Sequence, residues 1–155
     1  MTAAAVHLAD NLPDPDWTLR IPTCAEWINA NNRRRMHWSV DRELTYAWRN
    51  AAAYYTRHAK VPALGPSRVV AELHMTARRR ARIDPANFAP TAKAVIDGLV
   101  DAGIWPDDNA GWVVGPDMRL GPVVKPPLVE ALVLRIWGGP CCDGAHNRHG
   151  HREVL

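Results

Sequence analysis

Between positions 84 and 108 the chain sets acids on either side of one lysine: Asp84, then Lys93 and Asp97, then Asp107 and Asp108. Just upstream stand Arg78, Arg79, Arg80 and Arg82, and a second basic cluster, Arg33, Arg34 and Arg35, lies nearer the N-terminus. Arginine clusters are the electrostatic footprint of a polyanion such as DNA. Hydrolysis of a phosphodiester needs an activated water, a held phosphate and a stabilised leaving oxygen. Mg²⁺ can supply all three, takes hard oxygen ligands and usually needs only one or two carboxylates. Asp84, Asp107 and Asp108 are candidate metal ligands. Lys93 is a candidate for holding a phosphate oxygen or the leaving group, aided by the N–H groups of a helix start. The plainer reading stands beside this one, because Asp-Pro and Asp-Asp are also ordinary turn sequences and basic runs are often solvated loops.

The elements that must position these residues follow from periodicity. Trp17, Leu19 and Ile21 alternate with polar neighbours, a short half-buried strand that Pro22 stops. Residues 27 to 38, WINANNRRRMHW, read as a turn-rich loop in which Trp27 and Trp38 bracket the arginines. Tryptophans there either stack on bases or bury themselves in the core. From Val40 to Lys60, Leu44, Ala47, Trp48, Ala51, Tyr55 and Ala59 recur at helical spacing, with Arg42, Arg49 and Arg57 off the stripe. Arg68 to Thr76 alternates as a strand, Val69, Ala71, Leu73 and Met75 facing one way; His74 on the other side is expected to be satisfied or exposed. A second helix spans Thr91 to Ala102, opening on Pro90 and stopping at Gly103, with Lys93 and Asp97 one turn apart. A short strand at Trp112 to Val114 and a strong one at Leu128 to Trp137 complete the set; the latter is expected inside the sheet, with Leu128, Leu132, Leu134 and Ile136 on one face. The intervening GPDMRLG, residues 115 to 121, reads as a turn.

Asp84, Asn87, Phe88, Lys93, Asp97, Leu99, Ala102, Gly103, Asp107 and Asp108 together form a pattern that resembles the RusA-like Holliday junction resolvases, small Mg²⁺-dependent DNA endonucleases. The likeness is close over residues 84 to 108. It continues more loosely through Asn32, Arg35, His37 and Trp38, and its Pro90-Thr91 variant looks actinobacterial or actinophage in type. The resemblance implies Asp84 and Asp108 as metal ligands with Asp107 beside them, Lys93 as the catalytic lysine, and Asn87 as support. It also implies an α+β homodimer cutting four-way DNA junctions, with Mg²⁺ or alternatively Mn²⁺. One position departs. The family carries two acids before the asparagine, and here the second is Ala86. Either Asp97 or Asp107 supplies the missing carboxylate, or the metal site is weaker, or the chain binds branched DNA without cutting it.

Length and composition frame this reading. A chain of 155 residues, 47% hydrophobic and 23% charged, suits one globular domain. The net charge of +3 is mild, so the clustering of arginines matters more than their total. No window approaches 18 apolar residues, and the N-terminus lacks the basic start of a signal peptide. Cys24, Cys141 and Cys142 have no framework spacing and read as reduced thiols in a cytoplasmic protein. The expected organisation is a loose arm over residues 1 to 15, one α+β domain over 16 to 138 (a small mixed sheet carrying two main helices), and a polar tail over 139 to 155. That tail contains Cys141, Cys142, His146, His149 and His151.

Overall fold

The computed structural model describes residues 12–140. Most of the expected arm and the Cys/His residues of the tail lie outside that range. Residue 13 is docked, since the Trp137 indole donates to the Pro13 carbonyl at 2.8 Å.

The fold is α+β. In chain order come β1 (Trp17–Pro22), α1 (Ala30–Arg33), α2 (Trp38–His58), β2 (Ser67–His74), α3 (Ala77–Arg80), a 3-10 turn (Pro85–Phe88), α4 (Ala89–Asp101), β3 (Val113–Leu120) and β4 (Ala131–Trp137). The strands form one mixed sheet in the order β1-β4-β2-β3. β4 lies inside it, antiparallel to both β1 and β2, as its apolar run requires. β3 runs parallel to β2, and α4 is part of the crossover that this pairing needs.

The alternation of β1, β2 and β4 puts Leu19, Ile21, Val69, Ala71, Leu73, Leu132, Leu134 and Ile136 in the core with Trp48 and Ala52 of α2 and Val95 and Leu99 of α4. Helix α4 is buried more widely than one stripe, at Ala92, Ala94, Val95, Ile96, Gly98 and Leu99, because it meets both α2 and the sheet. Gly103, at φ +84°, ends it in the left-handed region that glycine tolerates. Helix α2 starts earlier than its apolar period suggests, because His37 caps it by accepting from the Ser39 N–H. Met75, beyond the end of β2, is fully buried. His74 is satisfied, its ring 3.0 Å from Glu72.

Three sequence expectations need correction. Residues 115 to 120 belong to β3 and not to a turn. Gly115 and Pro116 together oppose Val69 in a bulge, with Gly115 at φ +108°, and the strand then resumes its pairing. Leu128 is not on the face of β4 but exposed in a turn where its N–H donates to the Lys125 carbonyl. Residues 27 to 38 are not all loop: Asn29 caps the short α1 by accepting from the Asn31 N–H. The bracketing tryptophans divide, with Trp27 buried and Trp38 exposed. Among the described residues no helix is long and apolar enough to cross a membrane.

The tightest approach in the core is at Gly98, where an added Cβ would stand 2.3 Å from the Arg49 carbonyl oxygen and 2.7 Å from the Ala52 Cβ. Alanine gains helix propensity, about 1 kcal/mol, but overpacking costs about 1–3 kcal/mol or more, and a clash with backbone at 2.3 Å belongs at the upper end, so the net effect is destabilising. Gly98→Ala is therefore expected to lower the urea midpoint. A midpoint equal to or above the parent's would show that α2 and α4 do not meet as described.

Candidate functional site

Helix α4 carries the site because its second turn turns Lys93 outward while Ala92, Ala94 and Val95 face the core. The helix N-terminus is anchored by Thr91, fully buried, whose hydroxyl accepts from the Ile28 N–H at 2.8 Å and donates to the Ile28 carbonyl at 3.0 Å. Phe88, just before α4, packs edge-on to Trp27 with ring centroids 5.9 Å apart. The first turns of α4 are thus held to the segment that leads into the Arg33 cluster.

Lys93 is the centre of the acidic group. Its ammonium donates to Asp97 Oδ1 at 2.5 Å, one helical turn on, and to Asp108 Oδ2 from the loop after α4. Asp107 orders that loop, its carboxylate accepting from the Asp108 N–H and the Asn109 side-chain amide, both at 2.8 Å. Burial alone would push the Lys93 pKa down, but the bonds to Asp108 and Asp97 reverse this and raise it. The hydrogen bond from Lys93 in turn holds the Asp108 carboxyl below its usual range. At neutral pH the group is an ammonium between carboxylates. It can hold a phosphate oxygen or protonate a leaving group, and it cannot act as a base.

Asp84 stands apart. It caps the 3-10 turn, accepting from the Ala86 N–H at 3.0 Å, and its carbonyl accepts from the Asn87 N–H. No hydrogen bond or ion pair among the described residues joins it to Lys93, Asp107 or Asp108. Parallel pairing of β2 and β3 places the exit of one strand and the entry of the other at opposite ends of the sheet, so the sheet edge itself does not bring Asp84 and Asp108 together. Asp108 reaches α4 through its loop. Asp97, suggested as a substitute ligand, is engaged by Lys93. Among the described residues no three Asp, Glu, His or Cys side chains gather where they could hold one metal ion. The donor chemistry of the adjacent Asp107 and Asp108 carboxylates nevertheless suits Mg²⁺, which needs few protein ligands.

The arginines also sort themselves. Arg33 pairs with Asp41 at 2.7 Å, Arg79 with Glu130 at 3.2 Å, and Arg80 donates to the Gly121 carbonyl. The side chains of Arg34, Arg35, Arg78 and Arg82 make no hydrogen bond or ion pair to another described residue, and all four residues are exposed. A cleft of about 450 Å³ is lined by Arg79 of one cluster and by Asn32, which directly precedes the other.

Glu130 organises that cleft, and sequence reading passed it over. Oε1 accepts from the Thr76 N–H at 3.0 Å and the Thr76 hydroxyl at 3.1 Å; Oε2 accepts from the Trp27 indole at 3.1 Å and pairs with Arg79. A single acid ahead of a strand has no local signature, because its partners come from three distant segments. Burial pushes its pKa upward, yet the donors from Thr76, Trp27 and Arg79 outweigh burial and hold it below the usual glutamate range.

A carboxyl whose folded pKa is lowered stabilises the fold fully above its unfolded value, about 4.3 for glutamate, and loses that contribution as pH falls through the folded value. Thermal stability should therefore hold from pH 7 to about 5 and decline below about 4. Glu130→Ala should cost about 1–3 kcal/mol at pH 7, from the buried donors it strands, and should shrink the acid decline. A melting series of the two proteins from pH 7 to 3 reads this, and parallel curves would remove Glu130 from that role. No protein-family model matches the sequence and comparison with curated proteins returns no match, so the functional reading rests on these residues and their geometry.

Proposed function

We propose that the chain is a Mg²⁺-dependent endodeoxyribonuclease that hydrolyses phosphodiesters in branched DNA, such as four-way junctions, in the manner of the RusA-like resolvases it resembles. One observation carries this reading: a charged lysine is held by Asp97 and Asp108, beside Asp107, on a helix tied to the segment that bears one of two arginine clusters. Phosphate-directed cations next to hard-oxygen donors are the parts that metal-assisted phosphodiester hydrolysis needs. A role in recombination or repair, a cytoplasmic setting and a homodimer matching the two-fold character of a junction follow from the same resemblance.

In this mechanism Asp108 and Asp107 would hold Mg²⁺, and Asp84, which the family resemblance adds to that pair, is not gathered with them among the described residues. When bound, the ion lowers the pKa of water and stabilises charge on the scissile phosphate. The chain's own groups do the rest. Exposed Arg34, Arg35, Arg78 and Arg82 attract and hold the flanking phosphates. Lys93 directs an ammonium to a phosphate oxygen and can give a proton to the leaving oxygen. Asp97 keeps the Lys93 side chain extended when Asp108 turns to another partner, and Asn87 supports the turn that presents Asp84.

Ala86 favours a second reading, a protein that binds branched DNA without cutting it, because alanine cannot coordinate a metal and no three acids converge among the described residues. Cleavage of a labelled four-way junction in Mg²⁺ and in Mn²⁺ separates the two. The nuclease reading expects cutting by the native chain and a loss of about a hundredfold or more in Asp108→Asn, with junction affinity kept. Lys93→Met should also lose cleavage. Cutting retained in Asp108→Asn would remove Asp108 from the chemistry. Cutting only by Ala86→Asp would establish the binding protein. Junction affinity should fall steeply between 50 and 200 mM salt, by roughly 10³-fold if about six phosphates are contacted; a flat salt dependence would defeat both readings.

A further inference from the structure

Strand β3 is last in the sheet order β1-β4-β2-β3, so no described strand pairs with its outer edge. Beyond the bulge it pairs regularly, Asp117 to Leu120 lying against Val70 to Leu73 of β2. In a parallel pair alternate residues turn both backbone groups toward the neighbouring strand. The Gly121 N–H donates to the Leu73 carbonyl at 3.1 Å, which puts Arg119 and Asp117 in the set that bonds to β2. Met118 and Leu120 therefore turn their N–H and C=O groups to the open edge. A row of unpaired donors and acceptors is a template for another strand, and solitary edges are blunted by charge, proline or a bulge. Here the bulge and Pro116 lie toward the start of β3 and leave its second half open.

The side chains of that open half are self-complementary. Register with β2 puts Met118 and Leu120 on the helix-covered face of the sheet beside Ala71 and Leu73, where they pack on the core yet stay partly exposed. Asp117 and Arg119 share the opposite face with Val70 and Glu72. Asp117 accepts from Arg68 through Oδ2 at 3.2 Å, both side chains being nearly half exposed. Arg119 is exposed and makes no hydrogen bond or ion pair to another described residue. An acid with one oxygen to spare and an uncommitted arginine thus flank Met118. A second β3 laid antiparallel, with its two-fold axis at Met118, sets the partner's Arg119 opposite Asp117 and the partner's Asp117 opposite Arg119. Opposite charges directly across a strand pair are stabilising.

We propose that β3 is the surface through which two copies of this chain join, pairing antiparallel about Met118 so that their two four-stranded sheets become one. The inference deepens the homodimer of the functional reading, on which its use rests, by naming the interface. Met118 is one of the outward-bonding residues, so the two copies exchange a pair of N–H···O=C bonds across the axis. Other registers fail. An axis at Asp117 or at Arg119 sets like charges face to face, which is destabilising. An axis at Leu120 sets Met118 against the partner's Pro122, which has no N–H to give, and leaves Arg119 opposite a glycine. The other edge strand, β1, offers no such match: Thr18 and Arg20 share its outward face, without an acid, and Arg20 already donates to the Val129 carbonyl. The 3-10 turn that presents Asp84 lies against β3, so pairing here sets both copies of that turn near the axis.

Sedimentation equilibrium of the full chain at low salt, over a range of concentrations, tests the interface. The native chain is expected to reach twice the monomer mass. Arg119→Asp and Asp117→Arg should each weaken dimerisation about tenfold, since two attractive pairs become two repulsive ones. A mixture of the two variants should associate about tenfold more tightly than either alone, because each acid of one chain then faces an arginine of the other. Arg119→Asp removes no hydrogen bond or ion pair within the described chain, so its result decides the matter even where Asp117→Arg folds poorly. A native chain that stays monomeric, a dimer that Arg119→Asp leaves unchanged, or a mixture no tighter than its components each overturn the interface. Junction cleavage is read separately: a dimer of this kind that neither binds nor cuts four-way junctions brings down the functional reading and leaves the interface standing.

Discussion

The close crossing of α2 and α4 at Gly98 is the constraint on which the rest of the molecule depends. A hydrogen at that position lets the α4 backbone come within contact of the Arg49 carbonyl and Ala52, closer than any side chain would allow. At the end of α4 the Arg49 guanidinium takes Asp101 with two parallel bonds of 2.5 and 2.7 Å, and Arg57 donates to the Asp101 carbonyl at 3.1 Å. The Asp101 carboxyl is held below its usual range by Arg49. Both side chains of the pair are more than a third exposed, so water screens much of the attraction. Its consequence is register. With the middle and end of α4 pinned to α2 and its start pinned to Ile28 by Thr91, the helix has no freedom to slide, and Lys93 has one place to be.

From that fixed helix the charges arrange themselves in two layers. Lys93 draws in Asp97 from its own helix and Asp108 from the loop beyond, which orders a segment that would otherwise carry adjacent, mutually repelling acids. On the neighbouring surface Glu130 draws in Arg79, Thr76 and Trp27, which ties the start of α3 to the loop before α1. In both places one charge collects partners that include a segment distant in sequence. In both, the remaining basic side chains are left facing solvent.

The regular elements were legible because their patterns are local. Alternation in β1, β2 and β4 and the three-to-four spacing in α2 and α4 report burial of one face, and burial of one face is what these elements do. The misread segments share a cause: Gly115-Pro116 and Pro126-Pro127 have turn composition, yet the first pair is a bulge inside a strand and the second delays β4 until Ala131. Pairing with β2, which composition does not reveal, decided the first case. The Lys93–Asp97 pair was readable from its spacing, whereas the Lys93–Asp108 contact depends on how the loop returns. The role of Glu130, whose partners come from three distant segments, is a property of the tertiary fold alone.

Ala86 tests how far chemistry and architecture can be separated. Its N–H donates to Asp84, so the backbone at this position is already employed in the turn that presents that acid. Its side chain, however, is exposed, and nothing in the turn depends on its being a methyl group. A carboxylate here would face solvent beside Asp84 at the start of the 3-10 turn, where the first N–H groups favour negative charge. The turn therefore tolerates either residue, and the presence of alanine tells of no rearrangement that would have made a second acid unwelcome. What alanine changes is the charge available to a cation, while the fold, the clamp on α4 and the exposed arginines stay as they are. The two proposed readings accordingly share one architecture and differ by a single carboxylate, so a change at this position alters the charge offered to a cation without any loss of structure.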